Sequence, residues 1–157
     1  MRPRGGMVDT KDLKSLPFWE CRFKSGRGYQ FLIMFAFITI GTNNLKKSSA
    51  FYSKILKPLK IKKVLSHNRY YGYAKKESPK KIELYLIKPH NKKKATIGNG
   101  TMITFKANSK NTVNEFYKIG IRLGAKDEGM PGPRHGKDYY AYLRDLDGNK
   151  ICIFKKI

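Results

Sequence analysis

Histidine is nearly missing from this 157-residue chain: His67, His90 and His135 are the only three. None is spaced with another as metal ligands are. Cysteine is as scarce, with Cys21 and Cys152 alone. Two thiols cannot build the disulfide framework of a small secreted domain, so a reducing, cytoplasmic setting is expected. Acidic residues number 11 against 34 Lys and Arg, giving a formal charge of +23. Long apolar runs are lacking too. The stretch Phe31 to Ile40 follows a basic segment as a signal peptide would, but falls well short of the roughly 20 residues that span a bilayer. No small-residue cleavage site follows it. It reads as a buried strand, and no membrane partner is expected.

The basic excess is lysine, not arginine. From Met34 onward there are 23 Lys and 4 Arg, with abundant Ile, Asn and Tyr. AT-rich coding produces that bias without selection for binding, and lysine-rich surfaces ordinarily face water. Residues 34–157 carry 27 basic and 8 acidic side chains, a balance of +19. A nucleic-acid binder would show affinity that weakens steeply with salt. No DNA- or RNA-recognition motif is present, and no specific nucleic-acid partner is expected.

Residues 1–32 have the opposite bias: no Ile, no Asn, and four Arg against three Lys. Such a break marks material of different origin. Arg22-Phe23-Lys24-Ser25 can be written CGG TTC AAG TCC, which contains the sequence of a transfer-RNA T-arm. Codons for Gly6 to Asp9, Asp12 to Ser15 and Gly28 to Gln30 permit a D-arm, an anticodon loop and an acceptor end, in the right order. The expectation is that residues 1–33 are a spurious, poorly ordered extension read from a transfer-RNA gene. Met34 then begins the protein, and Trp19 and Cys21 carry no function.

What the rest of the chain has is a repeat. Ile38-Thr39, Asn43 and Phe51-Tyr52 recur as Ile103-Thr104, Asn108 and Phe116-Tyr117, all shifted by 65 positions. One long period indicates a duplicated supersecondary unit. In the first copy, a strand over 35–40 ends at Gly41, and Asn43 or Asn44 caps a helix through Leu45, Phe51, Tyr52, Ile55 and Leu56. Strands follow at 61–65, 70–74 and 82–87. In the second, a strand over 102–107 leads to Asn108 or Ser109 and a helix carrying Val113, Phe116, Tyr117 and Ile121. Gly124 closes that helix. Strands at 125–128, 139–144 and 150–154 follow, with Asp147-Gly148 turning the last hairpin. The unit is βαβββ used twice, module one over 34–90 and module two over 98–157. This predicts an α+β fold, a mixed-sheet half-barrel with helices outside.

Gly98-Asn99-Gly100-Thr101 before the fifth strand, and Asp145-x-Asp147-Gly148-Asn149-Lys150 before the eighth, complete a resemblance. Together with Ile38 to Asn43, Phe51-Tyr52 and Tyr139-Tyr140-Ala141, they make residues 34–154 similar to the vicinal oxygen chelate superfamily. That group includes glyoxalases, bleomycin-resistance proteins and extradiol dioxygenases. The resemblance implies a cleft between modules and, in the group's enzymes, a divalent metal held by His, Glu or Gln. Matching the repeats puts Phe37, Glu83, Met102 and Cys152 at the ligand positions. Phe cannot coordinate, a thioether binds hard ions poorly, and two remaining donors are fewer than catalytic sites use. No cofactor is expected, and the catalytic residues are unknown. The expected function is metal-free binding of a small organic molecule. The alternative is a metal-dependent lyase or dioxygenase with a degenerate ligand set. Arg69, Tyr71, Arg134, His135 and Tyr140 are candidates for holding the ligand: the basic groups for an anion, the rings for a flat molecule. Pro131-Gly132-Pro133 suggests a shaped lid before the seventh strand. Short sheets with open edges make a homodimer possible.

Asp145-x-Asp147-Gly148-Asn149 lacks the later ligands of a calcium loop and reads as a turn. Gly98-x-Gly100 opens no helix, which excludes a dinucleotide fingerprint.

Overall fold

The computed structural model describes residues 35–157. The extension expected over 1–33, with the start at Met34, lies outside the described residues. In chain order the elements are β1 (Ile38–Gly41), α1 (Leu45–Ile55), a 3-10 turn (Lys57–Leu59), β2 (Ile61–Ser66), β3 (Tyr70–Lys75) and β4 (Ile82–Ile87). Then come β5 (Ile103–Lys106), α2 (Lys110–Arg122), β6 (Lys126–Pro133), β7 (Tyr139–Arg144) and β8 (Lys150–Lys155). This is βαβββ twice, in an α+β fold.

Local chemistry sets the helix limits. Asn44, not Asn43, caps α1: its side chain accepts from the Lys47 N–H at 3.0 Å. Ser109 caps α2 by accepting from the Thr112 N–H at 3.1 Å. Gly124 ends that helix at φ 91°, a left-handed conformation costly for a residue with a Cβ. α1 buries Leu45, Phe51, Tyr52 and Ile55, and α2 buries Val113 and Phe116.

The strands form two four-stranded sheets, ordered β1-β4-β3-β2 and β5-β8-β7-β6. The first strand of each module runs parallel to its last, and the other pairs are antiparallel. The helices cover one face of the sheets, and a single apolar cluster runs through both modules, including Phe51, Leu84, Phe116 and Ile153.

Polar bonds also tie module to module. The buried Tyr52 hydroxyl donates to Asp145 at 2.7 Å. Asp147 accepts from Thr42 at 2.6 Å and from Ser48 at 2.9 Å. The Asn149 amide donates to the Gly41 carbonyl at 3.1 Å. The β7–β8 turn is thus anchored on the start of α1. No helix among the described residues is long and apolar enough to cross a membrane.

One element departs from expectation. Pro131-Gly132-Pro133 is not a lid but the end of β6, with Gly132 opposite Tyr140 and Pro133 opposite Tyr139. Register breaks between Asp127 and Gly132 absorb the residues that spoil an alternating pattern. Only Arg134 to Asp138 remains as a turn, closed by the Arg134 N–H donating to the Asp138 carbonyl at 2.8 Å.

Candidate functional site: an aromatic sheet face

Side chains alternate across a strand, so burial separates the two faces. In β8, Ile151 and Ile153 are buried in the cluster beneath the helices. Cys152 and Phe154 therefore share the opposite face. In β7, Ala141 and Leu143 join the core, and Tyr140 and Tyr142 face away. Pairing sets Tyr142 opposite Cys152 and Tyr140 opposite Phe154. β5 adds Thr104 beside Cys152.

The result is a half-buried aromatic floor. Tyr140 lies 4.9 Å from Phe154 with 29° between planes, and 6.0 Å from Tyr142 with 2° between planes. His135 meets the Tyr140 ring edge-on at 5.7 Å. Gly129, at φ 156°, lies against Tyr142, where a Cβ would sit 3.0 Å from the ring. Basic groups border the floor. Arg134 is held by the carbonyls of Pro133 and Met130 at 3.1 and 3.3 Å. At the other end Lys150 lies 5.8 Å over Tyr142, and Glu128 pairs with Arg144 at 2.8 Å and Lys150 at 3.5 Å.

Burial raises the pKa of both Tyr140 and Tyr142, so they stay neutral phenols at pH 7. Burial also pushes the Cys152 thiol from 9.0 up to about 11, against smaller opposing effects of Thr104 and Lys150. A neutral buried thiol is neither a ready nucleophile nor a ready metal ligand. It should also leave a mark on stability. The unfolded thiol ionises near pH 9 while the folded one does not, so its contribution is intact below pH 9 and is lost as pH rises toward 11. Melting temperature should fall over that interval less steeply in Cys152→Ala than in the parent. Equal slopes would remove Cys152 as the cause.

The first sheet has its own aromatic face. Phe37 meets Tyr85 edge-on at 5.2 Å, Tyr85 meets Tyr70 at 6.0 Å, and His67 stacks on Tyr70 at 4.5 Å. Phe37 and Met102 are 55% and 43% exposed, so neither is an ordinary core residue. Arg69, at the β2–β3 turn, lines a separate cleft with Lys88 and the linker lysines. Tyr71 lies on the helix side of β3, with the core residue Tyr73, and Lys63 sits 4.6 Å over its ring. It does not share a face with Tyr140. Of the five candidate ligand holders, the structure gathers Arg134, His135 and Tyr140. Tyr142 and Phe154 belong with them. Their signal was legible: each is two residues from a candidate, Tyr140 or Cys152, on the same strand.

Strand register corrects the matching of Glu83 with Cys152. Ile38 lies opposite Leu84, and Ile103 opposite Ile151, so Tyr85 is the mate of Cys152 and Lys150 the mate of Glu83. The Lys-Ile-Glu and Lys-Ile-Cys triplets look alike but sit two residues out of step. A two-residue slip keeps the face, which is why Glu83 still points away from the helices. On this register the four equivalent positions are Phe37, Tyr85, Met102 and Cys152, with Glu83 on the same face of β4. Even with Glu83 counted, this face offers a divalent ion no imidazole and a single carboxylate, and its one thiol is held protonated. These residues do not fit the ion. Among the described residues no three His, Cys, Asp or Glu side chains group as a metal site would.

No family model and no curated protein matches the chain. Solved structures do. The chain is 34% identical to a glyoxalase/bleomycin resistance protein from Albidiferax ferrireducens T118, with TM-score 0.72, covering 80% of this chain and 100% of that one. A glyoxalase/bleomycin resistance protein/dioxygenase family enzyme from Burkholderia phytofirmans PsJN is 17% identical, with TM-score 0.61 over 78% and 98% of the two chains. The fosfomycin resistance protein FosX from Mesorhizobium loti is 14% identical, with TM-score 0.56 over 77% and 90%. The last two likenesses concern the fold.

Proposed function

The chain belongs to the glyoxalase/bleomycin resistance protein family, and from that premise we propose that it binds a small, flat organic molecule without a metal. The molecule rests on the aromatic floor of the second sheet. The observation that carries this reading is the Tyr140, Tyr142 and Phe154 group, half-buried and uncovered by the helices. Such rings offer stacking worth about 0.5–1.5 kcal/mol per pair beyond the area they bury. Arg134 at one end, with Arg144 and Lys150 at the other, favours a ligand bearing an anionic group. Tyr140 and Tyr142 hold their protons at neutral pH and serve as hydrogen-bond donors at the ligand's edge. Arg134 orients the anion, and the rings exclude water from the stacked face.

The family's metal-dependent lyases and dioxygenases are the competing reading, and the donor set argues against it. A thermal-shift screen of metabolites and antibiotics tests the proposal, since a ligand bound only by the folded state raises the melting temperature. Hits should be planar and should lose roughly tenfold in affinity in Tyr140→Ala, about 1.4 kcal/mol. Hits indifferent to Tyr140 and Phe154, or dependent on added metal, would refute it.

A further inference from the structure

A second concavity lies away from the aromatic floor, where β1 and β4 end. It is an open cleft of about 470 Å³ lined by Thr42, Asn43, Arg69, Lys88, Pro89 and the run Lys92 to Lys94. Five of those side chains are cationic and none is acidic. None of the five forms an ion pair among the described residues. Five like charges around one concavity raise the local positive potential and attract an anion.

The lysine run is also fixed in place. The Asn43 amide donates to the Ala95 carbonyl at 3.2 Å, and the Ala95 N–H returns a bond to Asn43 at 2.9 Å. Asn43 is itself held by Asp147, which accepts its backbone N–H and its amide, both at 3.0 Å. Upstream, the Lys92 N–H donates to the Pro89 carbonyl at 3.1 Å, and the Asn91 side chain accepts from the Lys93 N–H at 3.0 Å. Lys92 takes a left-handed φ of 61° within this turn. The Lys88 N–H bonds the Arg69 carbonyl at 2.9 Å, which fixes the opposite wall. Asp147, hydrogen-bonded to Thr42 and Asn43 of the lining, sets one negative charge against the five positive ones and leaves the cleft cationic.

We propose that this cleft is a binding site for a compact polyphosphate-type anion, with Arg69, Lys88 and Lys92 to Lys94 as its cationic wall. The volume suits a nucleotide-sized ligand. A single strand of nucleic acid fits less well: its binding grooves combine charge with stacking rings, and no aromatic side chain lines this cleft.

Titration calorimetry of the full chain with inorganic tripolyphosphate, in about 150 mM salt to suppress loose surface attraction, tests the site. One ion per chain should bind. Affinity should fall roughly tenfold in Arg69→Gln and at least that much in the Lys92→Gln/Lys93→Gln/Lys94→Gln triple variant. The triple variant Lys62→Gln/Lys76→Gln/Lys126→Gln, which removes exposed lysines elsewhere, should stay within about twofold of the parent. Asn43→Ala keeps every charge but frees the linker, and should weaken binding about threefold or more. Equal weakening by both triple variants, tighter binding of a single-stranded oligonucleotide, or no binding at all would each overturn the proposal.

Discussion

Asp145→Ala is expected to lower the melting temperature by roughly 10–20 °C, the equivalent of about 3 kcal/mol or more. Asp145 is 6% exposed and accepts four hydrogen bonds: from the Tyr52 hydroxyl, the Asn149 amide and the backbone N–H groups of Asp147 and Asn149. Truncation leaves the fully buried Tyr52 hydroxyl without its acceptor and unpins the β7–β8 turn. Tyr52→Phe removes only one of those bonds and should cost about 1–1.5 kcal/mol. Differential scanning calorimetry distinguishes the two. Similar small losses from both would mean that the turn is held by something else. Asp147 adds an acid limb to the same interface. Hydrogen bonds from Thr42, Asn43 and Ser48 outweigh burial and lower its pKa, so its contribution is present above about pH 4 and fades as pH falls through the depressed value.

Phe116→Ala should cost about 3–5 kcal/mol, because the ring is 1% exposed and its removal leaves a cavity beside Phe105. Phe51, its mate 65 residues earlier and 2% exposed, should cost a similar amount when truncated. Each variant should still melt in one transition, because the apolar cluster and the Tyr52–Asp145 bond join the modules. Separate transitions for the two modules would contradict a shared core.

These expectations rest on features that were legible at different depths. The repeat shows in residues recurring at one shift of 65, while the helix caps and the Asp147-Gly148 turn are local, marked within a few residues by hydrophobic spacing and capping chemistry. Of β6 only the start, expected over 125–128, was legible, because glycine and proline break the alternation over 129–133 and only pairing with β7 reveals that part as strand. The correspondence of Glu83 with Cys152 failed for a related reason. Register is decided across strands, and two similar triplets hid a shift of two residues. Tyr70 and Tyr71 read alike from a Tyr-rich strand, but the packing of α1 decides that Tyr71 lies on the covered face and Tyr70 on the other. The Tyr52–Asp145 bond spans 93 residues and left no local pattern.

The decisive measurement is metal content set beside binding. Protein purified without chelator should carry well under one equivalent of Fe, Zn, Ni, Co or Mn, and a ligand from the screen should bind with unchanged affinity after EDTA. One equivalent of tightly held ion, with ligand binding lost on its removal and regained on its return, would contradict the reading of these aromatic faces as a metal-free site.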